Sequence, residues 1–150
     1  MRVFTDLGQV RTLLAGTKKW DRALQAIEAA TRAPTGIAFS VGDSLTWRRI
    51  DAGERETDLV LRRRYQRVVH CLAGSVSIDV SRCTRPVGPY SDLNDRQAVS
   101  AVEGTRTTCV ITAGQTVRVD IDEATRLVPS DDFDGVLLHL TVEGRSLPNK

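Results

Sequence analysis

DLVLRRRYQRVVHCLAGSVSIDV, running from Asp58 to Val80, reads as a long strand studded with arginine, a turn at Ala73-Gly74-Ser75 and a second strand. Val, Ile and Tyr crowd it, and such side chains suit a pleated, half-buried surface. The same period of two recurs on either side. Residues 37–41, 44–50, 107–111, 115–121 and 136–142 are strand candidates, with Gly42-Asp43 and Ala113-Gly114 supplying turns. Residues 82–103 hold Pro86, Gly88 and Pro89 and read as a long loop with short extended pieces. Many short strands without alternating helices predict a sandwich or barrel rather than a parallel α/β sheet.

The first 34 residues follow another rule. Asp6 caps a first helix, with Gln9 three positions on as its capping-box partner and Gly16 at its end. A second helix places Trp20, Leu24 and Ile27 at helical spacing, with Ala23, Ala26 and Ala30 permitting close approach, and Pro34 stops it. These helices are expected to pack outside the sheets, on a strand face or a second subunit. The 150 residues are expected to form one domain, with residues 1–34 as a helical extension on the barrel.

Composition excludes several classes. At 41% hydrophobic and 27% charged the chain is neither disordered nor membrane-like. No apolar run approaches a membrane span, and the start lacks the apolar core of a secretory signal, so a cytoplasmic protein is expected. A net charge of +2 gives no argument for nucleic acid. Arg62, Arg63 and Arg64 form a basic run without aromatic stacking partners, and alternation on a strand would split it between two faces. Cys71, Cys83 and Cys109 lack a CxxC spacing and read as small buried hydrophobes.

The order of elements resembles the YhcH/YjgK/YiaL family of small cupin-like proteins. The likeness rests on Met1-Arg2-Val3-Phe4, on Gly42-Asp43-Ser44-Leu45, and on Val60 to Val69 with Tyr65, followed by His70-Cys71-Leu72-Ala73-Gly74. Tyr90-Ser91-Asp92, Glu123 to Leu127 and Val136 to Leu140 continue it. The resemblance implies a mostly-β, cupin-like double-stranded β-helix (a jelly roll) with two N-terminal packing helices. It implies sugar chemistry, as in sialic acid anomerisation or a β-galactosidase accessory subunit, and a divalent metal. At the three implied metal positions stand Val60, Arg62 and Thr125. Valine has no lone pair to give, arginine carries a permanent charge and threonine is a poor neutral ligand. Neither a bound metal nor another cofactor is expected.

Candidate chemistry then falls to organic groups. Arg67 stands where the resemblance has an Asp. It reads either as a bidentate anchor for an anionic ligand or as the partner of a structural carboxylate. Tyr65 and His139 are the proton-moving candidates beside it, and His70 is a further histidine to test. Arg62, Trp47, Arg49, Tyr90 and Asp92 complete a substrate-binding set. For Trp47 core packing is the competing role. Asp120 and Asp122 alternate with Val119 and Ile121 and read as a charged outer strand face. The expected function is a metal-independent isomerase, anomerase, cyclase or lyase acting on a sugar or ring-forming metabolite in a β-barrel pocket, with an anionic small molecule as the ligand Arg67 would favour. The alternative is a non-catalytic binding or accessory subunit that serves a partner enzyme. A homodimer is expected, with no nucleic-acid or membrane partner.

Overall fold

The structure, a computed structural model, describes residues 1–142. Its strands are β1 (Arg2–Phe4), β2 (Ala38–Val41), β3 (Leu45–Asp51), β4 (Leu59–Leu61), β5 (Tyr65–Ala73) and β6 (Ser75–Ser81). They continue with β7 (Thr84–Pro86), β8 (Gln97–Ala101), β9 (Thr107–Thr112), β10 (Thr116–Val119), β11 (Ala124–Pro129) and β12 (Asp134–Thr141). Helices α1 (Leu7–Leu14) and α2 (Lys18–Ala30) precede β2, and a 3-10 turn, Ala52–Glu54, follows β3.

Strand pairing defines the architecture. One sheet runs β1-β10-β5-β12-β3-β2 and the other β7-β8-β4-β11-β6-β9. Within them β3 pairs with β12, β4 with β11, β5 with β10 and β6 with β9, all antiparallel. A single long ribbon, β3–β6 laid against β9–β12, is therefore wound up so that successive strands enter alternate sheets. That is a double-stranded β-helix of the cupin type, with two helices on one outer face. Among the described residues no helix is long and apolar enough to cross a membrane.

Alternation sorts the side chains into two cores. One parity of β5 and β12 sends Val69, Cys71 and Leu137 between the sheets, where they meet Ile78, Ile111 and Leu127. The other sends Val68, Val136, Leu138 and Leu140 outward, under Trp20, Ala23, Ala26 and Ile27 of α2. The sequence pattern of α2 thus has its partner: the alanines let the helix lie close on a sheet face. The Asp6 carboxylate accepts from the Gln9 amide at 2.7 Å, while the Gln9 side chain accepts from the Thr5 amide at 2.8 Å. That closes a box one residue earlier than the usual pairing.

Two glycines meet close constraints. Gly74, at φ +68°, makes the β5–β6 turn, and a Cβ there would stand 2.7 Å from the Asp132 carbonyl oxygen. Gly135 sits at the register shift of β12 on β5, where a Cβ would stand 2.6 Å from the His70 carbonyl oxygen.

The ribbon departs from sequence expectation in three places. Residues 58–72 are not one strand: pairing stops after Leu61 and resumes at Tyr65 in the other sheet, so Arg62–Arg64 form the crossing between sheets. Residues 124–129 form a full central strand, β11, which period-two reading misses. Cys83 is exposed and Cys109 half-buried; Cys71 alone is a buried core thiol.

Candidate functional site

Between the sheets the interior changes character along its length. One end is the apolar core just described. At the other, the same inward parity brings Arg48 of β3, Tyr65 and Arg67 of β5, and His139 of β12 together with Thr125 of β11. Arg67 and His139 are register partners on adjacent strands. The Tyr65 and His139 rings lie edge to face, centroids 6.5 Å apart. The three residues expected to carry chemistry therefore do converge.

Arg67 is 3% exposed and engages Glu56 with both terminal nitrogens, each 2.8 Å from a carboxylate oxygen. Its Nη1 also donates to the Thr125 hydroxyl at 3.1 Å, and its Nε is buried without a hydrogen-bond partner among the described residues. Glu56 further accepts from the Leu127 amide at 2.9 Å. Burial works to raise the Glu56 carboxyl, but the Arg67 hydrogen bonds and charge overcome it and hold the group below its ordinary range. One strand away, Arg48 forms a two-pronged pair with Glu54. Glu54 and Glu56 also line a polar pocket of about 280 Å³ formed by residues 53–58 and Arg96.

Arg62 differs from these paired arginines. Its Nη1 donates to the Asn94 and Asp95 carbonyls at 3.3 and 3.1 Å, and no carboxylate among the described residues forms an ion pair with it. Burial, then the neighbouring Arg67 charge, pulls it down to about 10. Glu56 and Asp95 act on its charge from a distance, but its only direct partners are carbonyls, and a guanidinium so placed is a costly group to keep inside a protein.

His139 has its Nε2 buried without a hydrogen-bond partner among the described residues. Burial, reinforced by Arg62, Arg67 and Arg48, holds its imidazole well below the ordinary range, and therefore neutral near pH 7. His70 lies on the opposite face of the sheet. Its Nδ1 is 2.8 Å from the Thr116 hydroxyl, and burial lowers it to about 4.

The remaining sequence candidates serve elsewhere. Trp47, 8% exposed, packs beneath α2 and stacks on Phe39 with centroids 4.5 Å apart. Arg49 pairs with Asp134 and donates to the carbonyls of Thr31 and Ala33 at 3.2 Å, where a cation complements the end of α2. Both share the outward parity of β3, so neither reaches the interior. Tyr90 donates to the Asp95 carboxylate at 2.5 Å and lies under the Arg63 guanidinium, 3.9 Å from its ring centroid. The Asp92 carbonyl accepts from Arg64. These two residues belong to the loop that holds the 62–64 crossing. Elsewhere, Asp120, Asp122 and Glu123 gather around Arg82, which reaches all three at 3.5–3.9 Å.

Sequence reading missed Glu54, Glu56 and Asp95. Each lies in a connection rather than a strand, and no local signal ties Glu56 to Arg67 or Asp95 to Arg63.

The positions at which the resemblance implies a metal do come together, since Val60 and Thr125 are register partners and Arg62 stands two residues beyond Val60. The residues present do not fit a divalent ion. Val60 has no donor atom, the Thr125 hydroxyl already accepts from Arg67, and Glu56 spends both oxygens on the same guanidinium. Arg62 and Arg67 add two positive charges where an ion would need negative ones.

Fold and interior together define a cupin-like domain whose polar end is built from arginines. No protein-family profile matches the sequence. Among solved structures, the chain is similar to hydroquinone 1,2-dioxygenase from Sphingomonas sp. TTNP3 (TM-score 0.48, 15% identity, covering 79% of this chain and 72% of that one). It is also similar to the Lactobacillus farciminis oxalate decarboxylase (TM-score 0.42, 11% identity), covering 65% of this chain and only 23% of that one. A third likeness is to the Drosophila melanogaster CENP-C cupin domain (TM-score 0.41, 12% identity, covering 71% and 70%).

Proposed function

We propose that the polar end of the barrel is a metal-independent site for a small metabolite bearing an oxyanion, either carboxylate or phosphate. Arg62 binds the anion, Arg67 fixes the local charge and geometry, and Tyr65 with His139 move protons. The reaction class that suits these groups is acid–base rearrangement of a sugar-like or ring-forming compound: isomerisation, anomerisation, cyclisation or elimination. The observation that carries this reading is Arg62, a largely buried cation with two carbonyl partners and no carboxylate. Its Nη2 and Nε have no partner among the described residues and are the donors an incoming oxyanion would take.

Glucuronate and inorganic phosphate are suitable probes, with binding followed by calorimetry. Arg62→Gln is expected to weaken the better probe about 10- to 100-fold, the value of a charge-assisted hydrogen bond. Equal binding by the variant would remove the basis for the site. Membership of the YhcH/YjgK/YiaL family is part of the same proposal, supported by the meeting of Val60, Arg62 and Thr125 at one end of the interior.

A second reading, a non-catalytic ligand-binding or accessory subunit, is favoured by one observation. Glu54 and Glu56 already fill the space between the arginines with internal ion pairs. Turnover of any probe that Tyr65→Phe or His139→Gln abolishes decides against it.

We also propose a homodimer joined along β2, the edge strand of the helix-bearing sheet. Ile37 and Phe39 there are 51% and 38% exposed. Light scattering is expected to give twice the chain mass, and Phe39→Lys to return the monomer. A wild-type monomer at tens of micromolar would rule this out.

A further inference from the structure

We propose that the oxyanion and a proton enter this site together: the anion bridges Arg62 and the Nε2–H of a His139 that becomes imidazolium only on binding. This inference rests on the site reading above and adds what the site requires of its ligand. A neutral imidazole has one N–H, and the buried Nε2 of His139 has no hydrogen-bond partner among the described residues. Such an atom is expensive to leave unmet, so its position opposite Arg67 marks a place where something else supplies the bond.

The surroundings decide which something. Facing His139 are Tyr65 and Arg67 from β5, Arg48 from β3 and Arg62 from the crossing after β4, with Glu54 and Glu56 present as the partners of Arg48 and Arg67. Both carboxylates are committed, Glu54 to Arg48 and Glu56 to Arg67. Asp95 and Arg96 act on Arg62 with opposite signs, so the local sum is one positive charge in excess, that of Arg62, with a neutral imidazole beside it. The three guanidiniums oppose protonation of His139 and burial opposes it further. A cationic or neutral ligand would leave that opposition in place. An oxyanion cancels the Arg62 charge, and a second oxygen of the same group then offers Nε2 an acceptor that rewards a proton there. Ligand and proton thus stabilise each other, and linkage makes the effect reciprocal: binding raises the imidazole's proton affinity, and acidification tightens binding.

The chain has two histidines, so the test carries its own control. Imidazole nitrogen resonances of His139 and His70 are followed by NMR between pH 5 and 8, with and without saturating inorganic phosphate or glucuronate. Without either probe, His139 is expected to stay neutral throughout. With one bound, its titration moves upward into that window, the effect of an opposite charge at contact distance. His70, on the far face of the sheet, does not move. In His139→Gln, probe affinity loses its rise toward low pH while Arg62→Gln loses affinity at every pH. If the Arg62 guanidinium signals shift with the probe while His139 remains neutral, the coupling is overturned and the anion site stands. If neither probe perturbs Arg62 or His139, the site reading falls and the coupling falls with it.

Discussion

Arg67→Ala is expected to lower the unfolding free energy by about 3–5 kcal/mol, the cost of stranding one member of a buried ion pair. The Arg67 and Glu56 side chains are 4% and 19% exposed, so water reaches the carboxylate only from the polar pocket that Glu56 lines and replaces little of the lost partner. The strands meet around this pair: Arg67 lies in β5 and Thr125 in β11, while Glu56 accepts from the Leu127 amide of β11. Its loss therefore unties one sheet from the other at the polar end. Adding Glu56→Gln to the variant removes the unpaired charge and is expected to recover at least half of the loss. Urea midpoints measure both. A cost below about 1 kcal/mol for Arg67→Ala would mean that the pair is solvated and contributes little.

The same pair sets an acid limit. The Glu56 carboxyl is held below its ordinary value of 4.5 in the folded protein, so the unfolded chain takes up this proton first as pH falls. Its contribution is complete above that value and disappears as pH drops through the folded one. In Arg67→Ala the balance reverses, because burial remains and the lowering partner is gone. The variant's carboxyl then rises above 4.5, the folded state takes the proton first, and the stability gap to wild type narrows on acidification. A gap as wide at pH 4 as at pH 7 would show that Glu56 is not the stranded group.

What was legible in the sequence follows the range of the forces involved. Alternation and turn glycines are local, and they reveal the β-rich sandwich and the two capped helices, whereas Tyr65, Arg67 and His139 stand out through the resemblance, with the inward parity left open. Strand β11, ATRLVP, follows the acidic Asp120-Ile121-Asp122-Glu123 turn and includes a proline, so its pattern is weak until β6 and β4 flank it. The break after Leu61 is invisible for another reason. Arginines continue the alternation, and the amides that leave the ladder there are satisfied by Asp95, some thirty positions away. Trp47 and Arg49 share a face as strand parity requires, but parity alone does not say which face. The answer comes from α2, whose alanines lie on that side. Glu54 and Glu56 escape notice because a carboxylate in a connecting segment looks solvent-facing until its guanidinium partners fold back over it.

Asp95→Ala is the second large effect, expected at about 3 kcal/mol or more. Asp95 is 2% exposed, and its carboxylate accepts from the backbone amides of Arg63, Arg64 and Tyr65 at 2.9–3.3 Å and from the Tyr90 hydroxyl at 2.5 Å. Those amides lie where the chain leaves one sheet for the other, so no strand neighbour can take them over. Each donor left unmet in the interior costs about 1–3 kcal/mol, and the acceptor lost here is charged. Asp95 also holds φ at 47°, a conformation that favours Gly, Asn and Asp. Asp95→Gly removes that strain while deleting the carboxylate, and is expected to remain within about 1 kcal/mol of the alanine variant. Full stability in the glycine variant would mean that backbone conformation, rather than the carboxylate, is what position 95 supplies. Two local readouts accompany unfolding. Hydrogen exchange at residues 63–65 is expected to accelerate. The Tyr90 phenol, pushed up to about 12 by burial and then by the Asp95 hydrogen bond and charge, falls back toward its ordinary 10. The consequence reaches the proposed site directly, because Arg62 precedes these amides and Tyr65 carries the last of them. A crossing that is no longer clamped lets both side chains wander from the oxyanion position, so phosphate or glucuronate affinity should fall in Asp95→Ala even where the protein is still folded.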